Sequence, residues 1–257
     1  MKIAVLVKRV PDTASVFNIL PDGKSVELSG LKFVMSPYDE HAVEEAIKLR
    51  DQAGGEVIIV SAGSSDCTET IRTALAMGAD SGMLVTGTEN LTAKGLAVAL
   101  AAALKTIAPD IIFAGKQAVD SDGSQVPERV AEMMGIPHVS CITKFTCADG
   151  KATVNREVEG GHYTIATELP TLFTTQKGIN TPRYPTLPNI MKAKRKPVNE
   201  VGVASLSIDA ALLAPGMVVE KLSLPRQNRL CKVLTGEISE QVSCLYRTLR
   251  EEEKVLQ

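Results

Sequence analysis

From residue 2 to residue 135 the chain alternates two hydrophobic patterns. Short continuous apolar runs read as strands buried on both faces: KIAVLVK (2–8), EVIIVSAG (56–63), SGMLVTG (81–87) and DIIFAG (110–115). Between them lie segments whose apolar residues recur every three or four positions, as in a helix with one buried face. In MSPYDEHAVEEAIKLRDQAGG (35–55) that face is Ala42, Val43, Ala46, Ile47 and Leu49. Ser36 is placed to cap this helix, Pro37 suits its first turn, and Asp39 completes a near capping box. Gly54 and Gly55 stop it. DCTETIRTALAMG (66–78) is the second helix, with Asp66 as cap. TAKGLAVALAAALKTIA (92–108), capped by Thr92, is apolar nearly all round and is expected to be buried on most sides. A fourth helix follows DIIFAG and ends at Gly135.

Strands and helices alternating at this spacing predict an α/β fold, a mostly parallel sheet with right-handed crossovers and helices on both faces. Ligands of such sheets bind beyond the carboxyl ends of the strands, where the strand order reverses. The candidate site is therefore the loops Lys8 to Asp12, Met35 to Asp39, Ser61 to Asp66 and Gly115 to Val126.

Beyond residue 137 the pattern changes. HVSCITKFTCADGKATVNREVEGGHYTIATELPTLFTTQ (138–176) reads as a meander of antiparallel strands turning at Asp149-Gly150 and Gly160-Gly161. NTPRYPTLPNIMKAKRKPVNE (180–200) holds Pro182, Pro185, Pro188 and Pro197, and proline fixes φ and removes an amide donor. It reads as an extended arm with a basic end at Lys192, Lys194, Arg195 and Lys196. GEISEQVSCLYRTLREEEKV (236–255) reads as a last helix. The expected organisation is an α/β domain over 1–180, an arm over 181–200 and a C-terminal extension over 201–257.

Composition narrows the function classes. A net charge of -2 gives no basic face for nucleic acid, and no apolar run is long enough to span a bilayer. The apolar start, MKIAVLVKRVPD, lacks a small-residue cleavage site and reads as a strand rather than a leader. Five cysteines without a CxxC pair argue against disulfides and for a reduced, cytoplasmic setting. Three histidines far apart in sequence give no metal-ligand spacing. With 4% aromatic residues and no tryptophan, a scaffold or binding role fits better than an enzyme that encloses its reaction.

The segment GKQAVDSDGSQV (115–126) is the sharpest candidate for chemistry. It carries neither the phosphate loop GxxxxGK[ST] nor the dinucleotide fingerprint GxGxxG. Its small residues Ser121, Gly123 and Ser124 can present backbone N–H groups, at a helix N-terminus, to an anion. An ordinary capped turn is the plain alternative. Asp120, Asp122 and Gly123 begin like a calcium loop, but the later ligands that loop needs are missing. SAGSSD (61–66) resembles the pyrophosphate loop of ATP-cleaving enzymes of this fold class, which leaves a nucleotide-hydrolysing enzyme as a rival.

Four segments together, VLVKRVPD (5–12), ETIRTALAMGAD (69–80), GKQAVDSDGSQ (115–125) and PRYPTLPNIMKAKRKP (182–197), resemble the β subunit of electron-transfer flavoproteins. The resemblance covers roughly residues 1–200 and is strongest at TLPNIMKAK. It implies an adenine-nucleotide-hydrolase-like fold and an α-subunit partner that carries most of the FAD. It also implies a nucleotide held by this chain, either structural AMP or, in bifurcating members, a second FAD that oxidises NADH. By position, Leu6, Ser36, Pro37, Tyr38, Asp39 and Ala62 would line that pocket. So would Gly115, Lys116, Gln117, Ala118, Val119, Asp120, Ser121, Asp122, Gly123, Ser124, Gln125 and Val126. Amides from Asp122 to Val126 would face phosphate, and Tyr38 would lie near the partner's flavin. Leu187, Pro188, Ile190 and Met191 would dock onto an acyl-CoA or related dehydrogenase, with Leu187 as anchor. Electrons would pass on to a quinone-linked oxidoreductase. The implied role is an electron carrier without a bond-making site of its own.

Overall fold

A computed structural model describes residues 1–225 and 231–256; residues 226–230 and 257, within the expected C-terminal extension, lie outside the described residues. The elements run β1 (Lys2–Leu6), β2 (Arg9–Pro11), β3 (Phe33–Met35), α1 (Pro37–Ala53), β4 (Glu56–Ala62), α2 (Cys67–Met77), β5 (Ser81–Thr86), α3 (Ala93–Ile107), β6 (Ile111–Gly115) and α4 (Val126–Met134). There follow β7 (His138–Ala148), β8 (Lys151–Val158), β9 (Gly161–Glu168), β10 (Thr171–Thr175), α5 (Leu187–Ala193), β11 (Val198–Gly202), α6 (Ala210–Leu213) and α7 (Ile238–Arg247). The chain divides into two compact units. The larger comprises Met1–Asn18 with Val26–Glu220, the smaller Ile19–Ser25 with Lys221–Gln257.

The larger unit is built on a nine-stranded sheet in the order β11-β5-β4-β1-β6-β10-β7-β8-β9, with β2 and β3 pairing separately. The α/β expectation therefore holds. The strand order reverses at β1, which pairs in parallel with β4 on one side and β6 on the other. Successive strand residues point to opposite faces, so the core has two halves. Ile3, Val5, Ile59 and Phe113 pack with α1 and α2, while Ala4, Val60 and Ala114 pack with α3 and α4. Phe113, Phe145 and Phe173 stack with ring centroids 5.0 to 5.8 Å apart. Phe113 and Phe173, fully buried, contribute roughly 1.5–3 kcal/mol each relative to exposure, and the half-buried Phe145 less. The alanine-rich α3 is buried at Ala97, Ala99, Leu100, Ala101, Ala103 and Leu104, with α4 and α6 packed on it.

Two readings of the second half need correction. The meander is antiparallel through β7, β8 and β9, but β10 inserts between β6 and β7 and pairs in parallel with both. All five residues of TLFTT are buried, as a central strand requires. The arm is not extended throughout. Pro188 sits in the first turn of α5, where a missing amide costs nothing, and Thr186 caps that helix by accepting the Asn189 N–H. Residues Val198–Gly202 then join the sheet as edge strand β11, parallel to β5.

In the smaller unit the Leu222 amide donates to Gly23 O at 2.8 Å. Helix α7 opens with a capping box between Glu237 and Glu240 and ends in a wider helical turn over Thr248–Glu252. It exposes Ile238, Val242 and Leu245 at helical spacing.

Candidate functional site

A cavity of about 450 Å³ opens at the carboxyl edge of the sheet, beside the strand reversal. Leu6 at the end of β1 and Ala114 and Gly115 at the end of β6 form its floor. Gln117, Ala118, Ser121, Gly123, Ser124, Gln125, Val126 and Pro127 form one wall. Leu91, Thr92, Ala93, Leu96 and Leu100, from the start of α3, form the other, with Met217 at its margin. Lys8 and Asp39 complete the lining.

Asp39 ties the floor together. Its Oδ2 accepts the Lys8 amide at 2.8 Å and its Oδ1 the Gly115 amide at 3.0 Å, so one carboxylate bridges the ends of β1 and β6. This closeness requires glycine at 115: a Cβ there would collide with the Asp39 carboxylate and lie 2.7 Å from Tyr38 Cβ. Burial pushes the Asp39 carboxyl up to about 7, against the pull of the two amide bonds and of the Lys8 charge. Ser36 makes no side-chain cap; its hydroxyl is buried without a partner. Asp39 faces the sheet rather than closing a capping box. Asp66 makes no side-chain cap either, because the Ser64 and Ser65 carbonyls already accept the first amides of α2.

The loop from Gly115 to Val126 is held by few bonds of its own. Gln117 Nε2 donates to Asp122 at 2.7 Å, Ser124 Oγ donates to Gln117 at 3.3 Å, and Lys8 pairs with Asp120 at 2.6 Å. Asp122 and Ser124 take left-handed backbone angles, φ 47° and 45°. Interleaved left-handed residues turn successive N–H groups into one concavity, and strain of about 1–3 kcal/mol per residue persists where a loop is shaped for binding. The Asp122 amide is committed to Ala118 O, so it is not among the donors left for an anion. Among the described residues, the amides of Gly123, Ser124, Gln125 and Val126 donate to no protein acceptor. They stand at the N-terminus of α4, whose dipole favours negative charge. Thr92 Oγ1, in the opposite wall, is buried without a partner. Four open amides, a lysine and an orphaned hydroxyl around an otherwise largely apolar cavity fit a ligand with one anionic and one apolar end.

Of the residues expected at the site, the cavity gathers Leu6, Asp39, Gly115, Gln117, Ala118, Ser121, Gly123, Ser124, Gln125 and Val126. Lys116, Val119, Asp120 and Asp122 belong to the same loop but not to the lining. Ser36 is buried beneath it. Tyr38 is half-buried and does not line the cavity, with Lys116 Nζ 5.0 Å from its ring centre. Pro37 is exposed in the first turn of α1, and Ala62 lies one strand away. The Ser61 hydroxyl of SAGSSD is buried and does not line the cavity. The α3 wall was missed. Its signal was available, since the loop after β5 must reach the same edge as the others.

No group of His, Cys, Asp or Glu side chains among the described residues is placed to hold a metal. Among those residues, no helix is long and apolar enough to cross a membrane. Residues 25–206 match the family described as the electron transfer flavoprotein domain. The chain is 37% identical to electron transfer flavoprotein subunit beta of Bacillus subtilis over 259 residues, all of both chains. It is 44% identical to the subunit of that name from Syntrophomonas wolfei over 214 residues, 83% of this chain and 84% of that one. Against the Mus musculus subunit it is 38% identical over 242 residues, 92% of this chain and 94% of the other. On this likeness the chain belongs to the electron transfer flavoprotein β-subunit family.

Proposed function

We propose that this chain pairs with an electron transfer flavoprotein α subunit and holds AMP in the cavity at its sheet edge. The heterodimer would carry electrons from an acyl-CoA or related dehydrogenase to a quinone-linked oxidoreductase. The observation that supports this most is the row of open amides from Gly123 to Val126 at the start of α4. In this reading they receive the phosphate, Lys8 balances its charge, and Leu91, Leu96 and Leu100 pack against the base. At about 450 Å³ the cavity lies in the lower half of the ~300–1,000 Å³ that ligand pockets span, which suits a mononucleotide.

FAD, held mainly by the α subunit, supplies the electron chemistry when bound. This chain's part is to bind, position and shield. Tyr38 and Lys116, both half-buried, form a cation–ring pair at the same edge, suited to lie near the partner's flavin. The exposed stripe Ile238, Val242 and Leu245 on α7 gives the C-terminal extension an apolar face for the α subunit. Leu187, 79% exposed, with Ile190 and Met191 beside it, is the docking anchor for the dehydrogenase. The cytoplasmic setting is supported by five unpaired thiols.

The test is to co-express the chain with its α subunit, release the bound nucleotides and quantify them. The reading expects one AMP and one FAD per heterodimer. Two FAD and no AMP would place a second flavin in the cavity and favour NADH-driven bifurcation. Neither nucleotide would end the reading.

A further inference from the structure

ETIRTALAMG and NIMKAKRKP, remote in sequence, are joined by a reciprocal clamp. Arg72 on α2 donates from one guanidinium nitrogen to Ala193 O and Lys196 O, both at 2.6 Å. Lys196, just beyond α5, donates in return to Leu75 O at 3.1 Å and to Ala79 O. Arg72 thus caps the last carbonyl of α5, and Lys196 caps a carbonyl in the last turn of α2, while Lys196 O and Ala79 O lie just past the two helices. A positive charge at a helix C-terminus also complements the dipole. Immediately afterwards the Gly82 amide donates to Pro197 O at 3.0 Å and the chain enters the sheet. Leu187 lies roughly 9 Å along α5 from Ala193, with Ile190 and Met191 between them. A seven-residue helix this short is not stable alone and needs such tertiary support.

We infer that Arg72 and Lys196 are positioning residues for electron transfer, a reciprocal clamp that holds α5 so that Leu187 meets the donor protein preorganised. This rests on the docking reading of Leu187. It assigns a role to α2, which packs against α5.

The test uses the intact heterodimer carrying Arg72→Met, Lys196→Met, Leu187→Ala, or Arg72→Met with Leu187→Ala. Two quantities are read. One is hydrogen exchange of the Ile190 to Ala193 amides. The other is steady-state reduction by a medium-chain acyl-CoA dehydrogenase, itself reduced with octanoyl-CoA. Flavin and nucleotide content report intact folding, and Lys196→Met opens the clamp from the other side if Arg72→Met folds poorly. We expect Arg72→Met and Lys196→Met to speed exchange and to raise KM about tenfold with kcat little changed. The double variant should be no worse than Leu187→Ala alone, because the clamp acts through that side chain. Exchange at the native rate overturns the clamp. Faster exchange with native KM, while Leu187→Ala raises KM, overturns the positioning role. A native KM in Leu187→Ala overturns the docking reading and the positioning role with it, and the exchange rates then show whether the clamp itself survives.

Discussion

The loop from Gly115 to Val126 and the arm from 181 to 200 handle their polar groups in opposite ways. The loop leaves consecutive backbone amides open and lets two non-glycine residues adopt left-handed angles. The arm ties its polar groups down at both ends. Arg183 makes a two-pronged pair with Glu44, at 2.8 and 3.0 Å, and Arg72 and Lys196 close the other end. Between these anchors the arm exposes Tyr184, Leu187 and Met191. An anion needs donors that nothing else uses, whereas a protein partner needs apolar side chains on a rigid frame.

Substitutions in the two segments should therefore have different consequences. Gly115→Ala should be the most damaging, because its methyl group has no room between Asp39 and Tyr38. We expect a loss of about 3 kcal/mol in unfolding experiments, together with loss of the bound nucleotide. Glu44→Ala removes the anchor of Arg183 and leaves a half-exposed guanidinium without its fork. With allowance for solvent, thermal unfolding should show about 1–2 kcal/mol of destabilisation, with nucleotide content unchanged.

Asp39 gives a pH signature. Its folded value, about 7, lies above the unfolded 3.8, so its contribution is complete below about pH 4 and is lost as pH rises through about 7. Over that window stability should fall by up to about 1.4 kcal/mol per pH unit more in the native protein than in Asp39→Asn. Parallel stability curves for the two proteins would contradict this. Leu187→Ala should be nearly silent in stability, within about 0.5 kcal/mol, while slowing reduction by the dehydrogenase. Asp120→Asn breaks the Lys8 pair, which is partly exposed on both sides. It should cost less than about 1 kcal/mol and leave Lys8 free to meet the phosphate, so AMP affinity should not fall.

The parallel half of the fold was legible because its strands are buried on both faces and its helices carry stop signals such as Gly54 and Gly78. β10 was misplaced through its position in the chain, although TLFTT lacks the polar alternation seen in TIATE of β9, the edge strand that precedes it in sequence. β11 was hidden because VNEVG is a short, half-exposed edge strand after a proline-rich segment. At the site, the loop was legible from its small residues and its place after a strand. The role of Asp39 was not, because its partners, the Lys8 and Gly115 amides, lie 31 and 76 residues away. Local spacing suggested a helix cap in their place. The clamp between Arg72 and Lys196 was invisible for the same reason: its acceptors are backbone carbonyls, which no side-chain pattern announces.

If AMP occupies the cavity, the amides from Gly123 to Val126 receive its phosphate. The most direct measurement is hydrogen exchange of those four amides, Pro127 supplying a natural boundary, in the heterodimer stripped of nucleotide and then refilled with AMP. Refilling should slow exchange at Gly123, Ser124, Gln125 and Val126, with no comparable slowing at Asp122, already bonded to Ala118. Refilling that leaves all four amides exchanging as before would contradict it.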